Sequence, residues 1–137
     1  MVAFRNGINP YRTAAVMTSS PGQLVVMMYD GVLKFVSIAR AGCALPESDP
    51  ERLKMVQDGV GRSLAIIDEL RSTLDKDKGG EYAENLERLY DYYSFRLLKA
   101  QLSFDDAPLA EVEKLVGNLR EGWAQMLVAQ AQGQRPT

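Results

Sequence analysis

Residues 24–39 read LVVMMYDGVLKFVSIA, and this stretch decides the fold class. At about 100° per residue, the polar side chains of Asp30, Lys34 and Ser37 fall into one narrow strip of a helix, and apolar residues cover roughly 260° of its circumference. A helix that packs only against its own bundle needs an apolar stripe of about 100° or slightly more. The stretch therefore predicts a helix with a surplus apolar flank, covered by another part of the chain, a second copy or a partner.

Length and charge exclude several classes of protein. A chain of 137 residues suits one domain, and a net charge of −2 without a basic stripe gives no reason to expect nucleic acid binding. Charged residues interrupt the longest apolar runs, so no membrane insertion is expected. The N-terminal residues do not have the pattern of a secretory signal, which predicts a cytoplasmic protein.

Capping residues and breaks divide the chain into an arm and four helices. Serine or aspartate directly before a proline predicts helix starts near Pro21 and Pro50, and Asp105-Asp106-Ala107-Pro108 predicts one near Pro108. A pair of glycines precedes the remaining start. The predicted helices cover residues 21–43, 50–75, 81–104 and 108–131, and their short connections favour neighbours that run in opposite directions. We therefore predict an all-α, antiparallel up-and-down four-helix bundle over residues 19–132, an N-terminal arm over 1–18 and a disordered tail over 133–137.

The three- and four-residue spacing of apolar side chains predicts which face of each helix points inward. The inward faces predicted for the second, third and fourth helices are Leu53, Val56, Val60, Leu64, Ile67, Leu70 and Leu74; Tyr82, Leu86, Leu89, Tyr93, Leu97, Ala100 and Phe104; and Leu109, Val112, Val116, Leu119, Trp123 and Leu127.

Apolar residues are left over beyond these faces. The second helix has a flank that includes Met55 and Ile66, and the third has a stripe of Phe95, Leu98 and Leu102 nearly opposite its inward face. Large exposed apolar patches mark contact sites, so three such flanks together favour a groove for a partner. Uneven packing, or coverage by the arm, is the alternative explanation.

The residue types in the chain give little support for an enzymatic function. The chain has no histidine, which removes the histidine phosphoacceptor, the Glu-x-x-His di-iron site and the serine–histidine and cysteine–histidine nucleophiles. The single cysteine, Cys43, is expected to fill a partly buried site at a helix end. We expect no catalytic residue, no cofactor and no metal site.

Five motifs, in order along the chain, resemble those of the flagellar secretion chaperone FliS family. They are Asn9-Pro10-Tyr11, the Thr18–Pro21 segment, MYDGVLKF over 28–35, LYDYYSFRL over 89–97 and LREGW over 119–123. The resemblance extends over about residues 9–127. It departs from the family pattern at Ala14, where a second tyrosine is common, and in a shorter arm between Tyr11 and Thr18.

The resemblance implies a four-helix bundle that binds the C-terminal segment of flagellin in the bacterial cytoplasm. Such a chaperone prevents premature polymerisation and presents the subunit to the flagellar type III export gate, and its N-terminal arm can cover the binding groove until flagellin displaces it. Ile8 and Tyr11 would then form the displaceable cap, while Tyr29 and Tyr90 would be structural, with hydroxyls that find polar partners. The predicted groove residues are Val26, Leu33, Met55, Ile66, Leu70, Phe95, Leu98 and Leu102.

Two other functions remain compatible with the residues. The surplus stripes could bury each other in a homodimer of a structural or regulatory bundle, or the protein could be an adaptor for a sigma-factor antagonist or another chaperone. An arm with apolar anchors favours a groove that is emptied and filled, because a permanent dimer interface needs no cover.

Overall fold

The computed structural model describes residues 20–133, which form four helices joined by short connections. The helices are α1 (Pro21–Ala44), α2 (Glu51–Ser72), α3 (Lys76–Ser103) and α4 (Asp106–Ala131). Within these described residues there is no β-strand. The predicted all-α four-helix bundle is confirmed, whereas the predicted arm and almost all of the predicted tail lie outside the described residues.

The start of α1 follows from its capping residues. The hydroxyl of Ser20 accepts a hydrogen bond from the backbone N–H of Gln23 at 3.2 Å, and the Gln23 side-chain oxygen accepts one from the Ser20 N–H at 2.9 Å. This reciprocal pair satisfies two backbone donors that a helix start leaves without partners. Pro21 follows at the first helical position, so the predicted boundary is confirmed.

The start of α3 differs from the sequence prediction. Asp75 caps a helical turn that begins at Lys76, since its carboxylate accepts from the backbone N–H groups of Asp77 and Lys78 at 3.1 Å each. Gly80 then adopts φ +53° and ψ −129°, which interrupts the helix with a kink. The glycine pair therefore does not form a loop before the helix, because the aspartate cap starts a turn ahead of it.

The contacts between α1 and α2 establish that they are antiparallel. Gly42, near the end of α1, lies against Met55 near the start of α2, and Gly31 lies against Ile66 further along. Between them, the backbone of Gly59 approaches α1 so closely that a Cβ atom would stand 2.6 Å from the Phe35 carbonyl oxygen. Glycine at this crossing lets the two helices approach at backbone distance.

Ion pairs show the same arrangement between α1 and α4. The Arg40 guanidinium donates to Asp106 at 2.9 Å and to Glu113 at 2.8 Å, and Arg120 donates to Asp30 at 2.9 Å. Residues late in α1 therefore meet residues early in α4. Because α3 packs against α2 and α4, each helix has two antiparallel neighbours, as the up-and-down topology requires.

The core confirms most of the predicted inward faces but not three side chains. Leu53, Tyr82 and Leu89 are exposed, although their spacing predicted that they point inward. Leu53 lies at the edge of the apolar face of α2. Tyr82 lies just after the Gly80 kink, before the first buried residue of α3, and Leu89 lies within the apolar face of α3 but is only partly covered. Spacing alone places a residue near a face but does not fix how far the neighbouring helix covers it.

Candidate partner-binding surfaces

The outer face of α3 carries an exposed apolar stripe. Phe95, Leu98 and Leu102 are 63%, 48% and 89% exposed, whereas Leu97 and Ala100 between them are fully buried. The three side chains lie nearly opposite the buried face, as their spacing predicted. Among the described residues, no neighbouring helix covers this stripe.

Contacts with α4 orient the stripe toward solvent. A single oxygen of the Glu111 carboxylate accepts hydrogen bonds from the Tyr92 hydroxyl and from the Arg96 guanidinium, both at 2.7 Å. These two bonds, that of Tyr92 above all, hold the pKa of the Glu111 carboxyl below its ordinary value. Arg71 of α2 pairs with Asp91 on the other edge of α3, so the stripe lies between two edges that contact α4 and α2 and faces away from the core.

Leu53 extends this surface onto α2. It is 52% exposed and follows Arg52, whose guanidinium carbon lies 4.4 Å from the centre of the Phe104 ring at the end of α3. Leu53 therefore lies at the same end of the bundle as Leu102. The spacing assigned Leu53 to the core, whereas in the structure it precedes the first buried residue of α2, Val56.

Val26 and Leu33 lie on a different side of the molecule. Leu33 follows Asp30 by one turn and precedes Arg40 by about two turns, and both of these residues form ion pairs with α4. Val26 lies one turn before Asp30 on the same side, so both apolar side chains face the seam between α1 and α4. Each is half-buried there.

Met55 lies at the seam between α1 and α2. It lines a depression of about 290 Å³ together with Phe35 and Ile38. The Lys34 ammonium and the Arg62 guanidinium lie 5.6 Å and 5.4 Å from the centre of the Phe35 ring, so cations flank an apolar floor. This geometry suits cation–π contact at the rim of the depression.

Two predicted groove residues are core residues, which corrects the expectation for them. Ile66 is 4% exposed and Leu70 is 2% exposed. The physical reason is the close crossing of α1 and α2. A Cβ atom on Gly31 would stand 2.9 Å from the Ile66 side chain, so the glycine makes room for Ile66 in the core and widens the buried arc of α2. The two remaining predicted residues, Ile8 and Tyr11, lie outside the described residues.

A cavity of about 550 Å³ opens at the end of the bundle where α1 begins. The Gly80 kink lies beside it, and chain segments of all four helices contribute to its mostly apolar lining. Its main lining residues are Pro21, Leu24, Val25, Met28, Leu74, Tyr82, Leu86 and Trp123. Sequence reasoning did not predict this cavity, although the aspartate and glycine pair before α3 signalled an irregular helix start.

A buried pair of tyrosines lies at the base of this cavity. The hydroxyls of Tyr29 and Tyr90 form a hydrogen bond of 2.8 Å with each other across the core. Burial raises the pKa of both phenols above the ordinary value, so both remain neutral. The prediction that each hydroxyl finds a polar partner is confirmed, and the pair satisfies polar atoms that would otherwise be costly to bury.

Groups that could carry chemistry are sparse. Among residues 20–133, no three histidine, cysteine or carboxylate side chains are placed to hold a metal ion. Cys43 is half-buried near the end of α1, as predicted, and burial raises the pKa of its thiol. No helix in this part of the chain has both the length and the apolar character for a membrane span.

Comparison with known proteins gives a consistent result. A family described as the flagellar protein FliS matches residues 4–131. A flagellar secretion chaperone FliS from Salmonella typhimurium is 40% identical over 114 residues, which cover 82% of this chain and 81% of that protein. One from Bacillus subtilis is 33% identical over 126 residues, covering 92% and 90%. A flagellar secretion chaperone FliSB from Pseudomonas aeruginosa is 36% identical over 110 residues, covering 80% and 83%. The chain therefore belongs to the flagellar protein FliS family.

Proposed function

We propose that this protein is a cytoplasmic export chaperone that binds the C-terminal segment of flagellin. It thereby prevents premature polymerisation and delivers the subunit to the flagellar type III export apparatus. The observation that carries the proposal is the outward stripe of Phe95, Leu98 and Leu102, in a chain whose relatives are named flagellar secretion chaperones. The role is one of binding and presentation, without catalysis.

The spacing of the stripe fits an apolar face of a client helix. Phe95 and Leu102 are seven residues apart, which is about 10 Å along the helix axis. A client helix laid beside α3 would meet this length with apolar side chains at positions i, i+3 or i+4, and i+7, the usual pattern of helix-in-groove recognition. Leu53 would extend the contact at the Leu102 end.

Stable binding of the client requires a larger buried apolar area than the stripe alone provides. A segment that folds on binding costs about 2–5 kcal/mol in ordering, and apolar burial returns about 25 cal/mol per Å². A few hundred Å² is therefore insufficient once the cost of association is included. We infer that the client continues around the bundle and reaches the seams at Met55 and at Val26 and Leu33. This accounts for the presence of half-buried apolar residues at two seams away from the stripe.

We further infer that the client also reaches the apolar cavity at the start of α1, and that the N-terminal arm competes with it there through Ile8 and Tyr11. Pro21, the first residue of α1, lines this cavity, so α1 begins at the cavity rim. The nine residue-to-residue steps from Tyr11 to Ser20 span up to about 30 Å when extended, which is enough for the Tyr11 side chain to reach the cavity. An apolar arm and an apolar cavity are chemically matched.

Calorimetric titration with a peptide that covers the C-terminal segment of flagellin from the same organism tests the proposal. We expect one-to-one binding with a strongly negative heat-capacity change, because a disordered client buries apolar surface as it folds. A variant that lacks residues 1–11 should bind more tightly, since a competing arm reduces the fraction of receptive molecules. Absence of binding by a folded sample would contradict the chaperone role, and unchanged affinity of the shortened chain would contradict only the competing arm.

A further inference from the structure

The depression between α1 and α2 has a cation on each side of one aromatic ring. The half-buried Phe35 ring lies in its floor, and Lys34 of α1 and Arg62 of α2 lie 5.6 Å and 5.4 Å from the ring centre. The charged ends of both side chains are exposed to solvent. Two helices therefore bring two positive charges to the edge of the same apolar surface.

Neither of these cations is neutralised within the described part of the chain. Lys34 and Arg62 contact the Phe35 ring but form no ion pair with a carboxylate among residues 20–133. At the seam between α1 and α4, in contrast, the Arg40 guanidinium pairs with both Asp106 and Glu113. The cations beside the ring can therefore pair with a carboxylate that comes from another molecule.

The remaining charged residues of the depression leave it with an excess of positive charge. Lys54, Glu51 and Asp58 also line it, so that three cations stand against two carboxylates. One further carboxylate would balance the local charge. Charge complementarity therefore favours an occupant that is negatively charged where it meets the rim.

The size of the depression limits the shape of this occupant. Its volume of about 290 Å³ admits the end of a chain but not a helix, whose diameter with side chains is about 10–12 Å. Its apolar floor of Phe35, Ile38 and Met55 suits an aliphatic or aromatic side chain. The occupant should therefore combine one apolar side chain with an adjacent carboxylate in a small volume.

We propose that this depression binds the last residues of the client, with the terminal α-carboxylate on Lys34 and Arg62 and an apolar side chain on Phe35. The inference rests on the proposed function, because a C-terminal segment includes a free chain end. At a chain end the carboxylate belongs to the backbone, which leaves the adjoining side chain available for the ring. An internal aspartate or glutamate would instead use its side chain to present the carboxylate.

Calorimetric titration with two forms of the C-terminal flagellin peptide tests this inference. The forms have the same sequence and end either in a free carboxylate or in an amide. We expect the wild-type protein to bind the free acid about tenfold more tightly, because a carboxylate between two cations makes charge-assisted contacts that a neutral amide lacks.

A double variant, Lys34→Met with Arg62→Met, should bind the acid and the amide equally. Methionine keeps much of the apolar length of each side chain and removes the charge, so the bundle is expected to keep its melting temperature. Lys114→Met is the control, since it removes an exposed positive charge from α4, away from the depression. This control should keep the tenfold preference for the free acid.

The outcomes separate this inference from the proposed function. Equal, tight binding of both peptide forms by the wild-type protein would overturn the terminal site and leave the chaperone role intact. A double variant that still prefers the free acid would overturn the assignment of the carboxylate to Lys34 and Arg62. Weaker binding by the double variant, without any acid preference in the wild type, would mean that an internal carboxylate of the client occupies the site. Failure of both forms to bind the folded wild-type protein would contradict the chaperone role itself.

Discussion

Phe95→Asp is expected to weaken binding of the flagellin segment by about 100-fold or more while the bundle keeps its melting temperature. The substitution places a carboxylate in the middle of the apolar contact, where it must lose water without gaining a partner. Truncation or disruption of a central aromatic anchor commonly costs 2 kcal/mol or more, and about 2.7 kcal/mol corresponds to 100-fold. Calorimetric titration measures the affinity, and circular dichroism measures the melting transition.

Val128→Asp provides the matched control for Phe95→Asp. Val128 is an exposed apolar residue on α4, away from the outer face of α3, so its replacement tests whether any surface carboxylate weakens binding. We expect nearly wild-type affinity for this variant. Loss of helicity or of the cooperative melt in Phe95→Asp would instead mean that the ring stabilises the bundle, contrary to its exposure. Equal loss of affinity in both variants would contradict a specific site on α3.

Gly59→Ala is expected to lower the free energy of unfolding by about 3 kcal/mol. In a helix interior, alanine is ordinarily more favourable than glycine by about 1 kcal/mol, so this local preference alone would make the substitution stabilising. The new methyl group, however, would stand 2.6 Å from the Phe35 carbonyl oxygen and 2.7 Å from the Ala39 nitrogen. These are backbone atoms of α1, which move only if the two helices separate. Urea denaturation measures the change.

Gly61→Ala is the control in the same helix. A Cβ atom at this position has no heavy atom within 4 Å, apart from its own helix, so only the local preference acts. We expect the free energy of unfolding to rise by about 0.5–1 kcal/mol. If Gly59→Ala were stabilising by the same amount as Gly61→Ala, then α1 and α2 would not meet at backbone distance.

The helix starts show how far local sequence determines structure. Ser20 and Gln23 satisfy donors only a few residues away, so their effect can be read without knowledge of the rest of the fold. The start of α3 was misjudged because two local signals conflict there. Asp75 caps a turn, and Gly80 interrupts the helix five residues later with a positive φ. Glycine permits this conformation but does not reveal on which side of it a helix begins.

The extent of burial could not be predicted from one helix at a time. Ile66 lies on the flank of α2 that a regular apolar stripe leaves open, yet it is in the core beside Leu70, which the spacing placed on the inward face. Gly31 and Gly59 let α1 and α2 approach closely, so more of the α2 surface that faces α1 is buried. The burial of these α2 side chains depends on pairs of residues from two different helices, so it cannot be predicted from the spacing of apolar residues within one helix.

The outer stripe of α3, in contrast, could be predicted from the spacing of apolar residues within a single helix. Phe95, Leu98 and Leu102 lie so far from the buried face that no plausible packing of a four-helix bundle covers them. Their outward position is confirmed, while their role in partner binding stays a prediction. The end cavity was not foreseen, because its shape depends on the kink at Gly80 and on side chains from all four helices.

Site-specific photo-cross-linking tests most directly whether the outer face of α3 binds the client. A photoreactive residue at position 102 replaces the most exposed apolar side chain of the stripe, and one at position 61 replaces an exposed glycine on α2. We expect position 102 to form a covalent adduct with the C-terminal segment of flagellin and position 61 to form none. An adduct at position 61 but not at 102, from a protein that binds flagellin, would contradict the account.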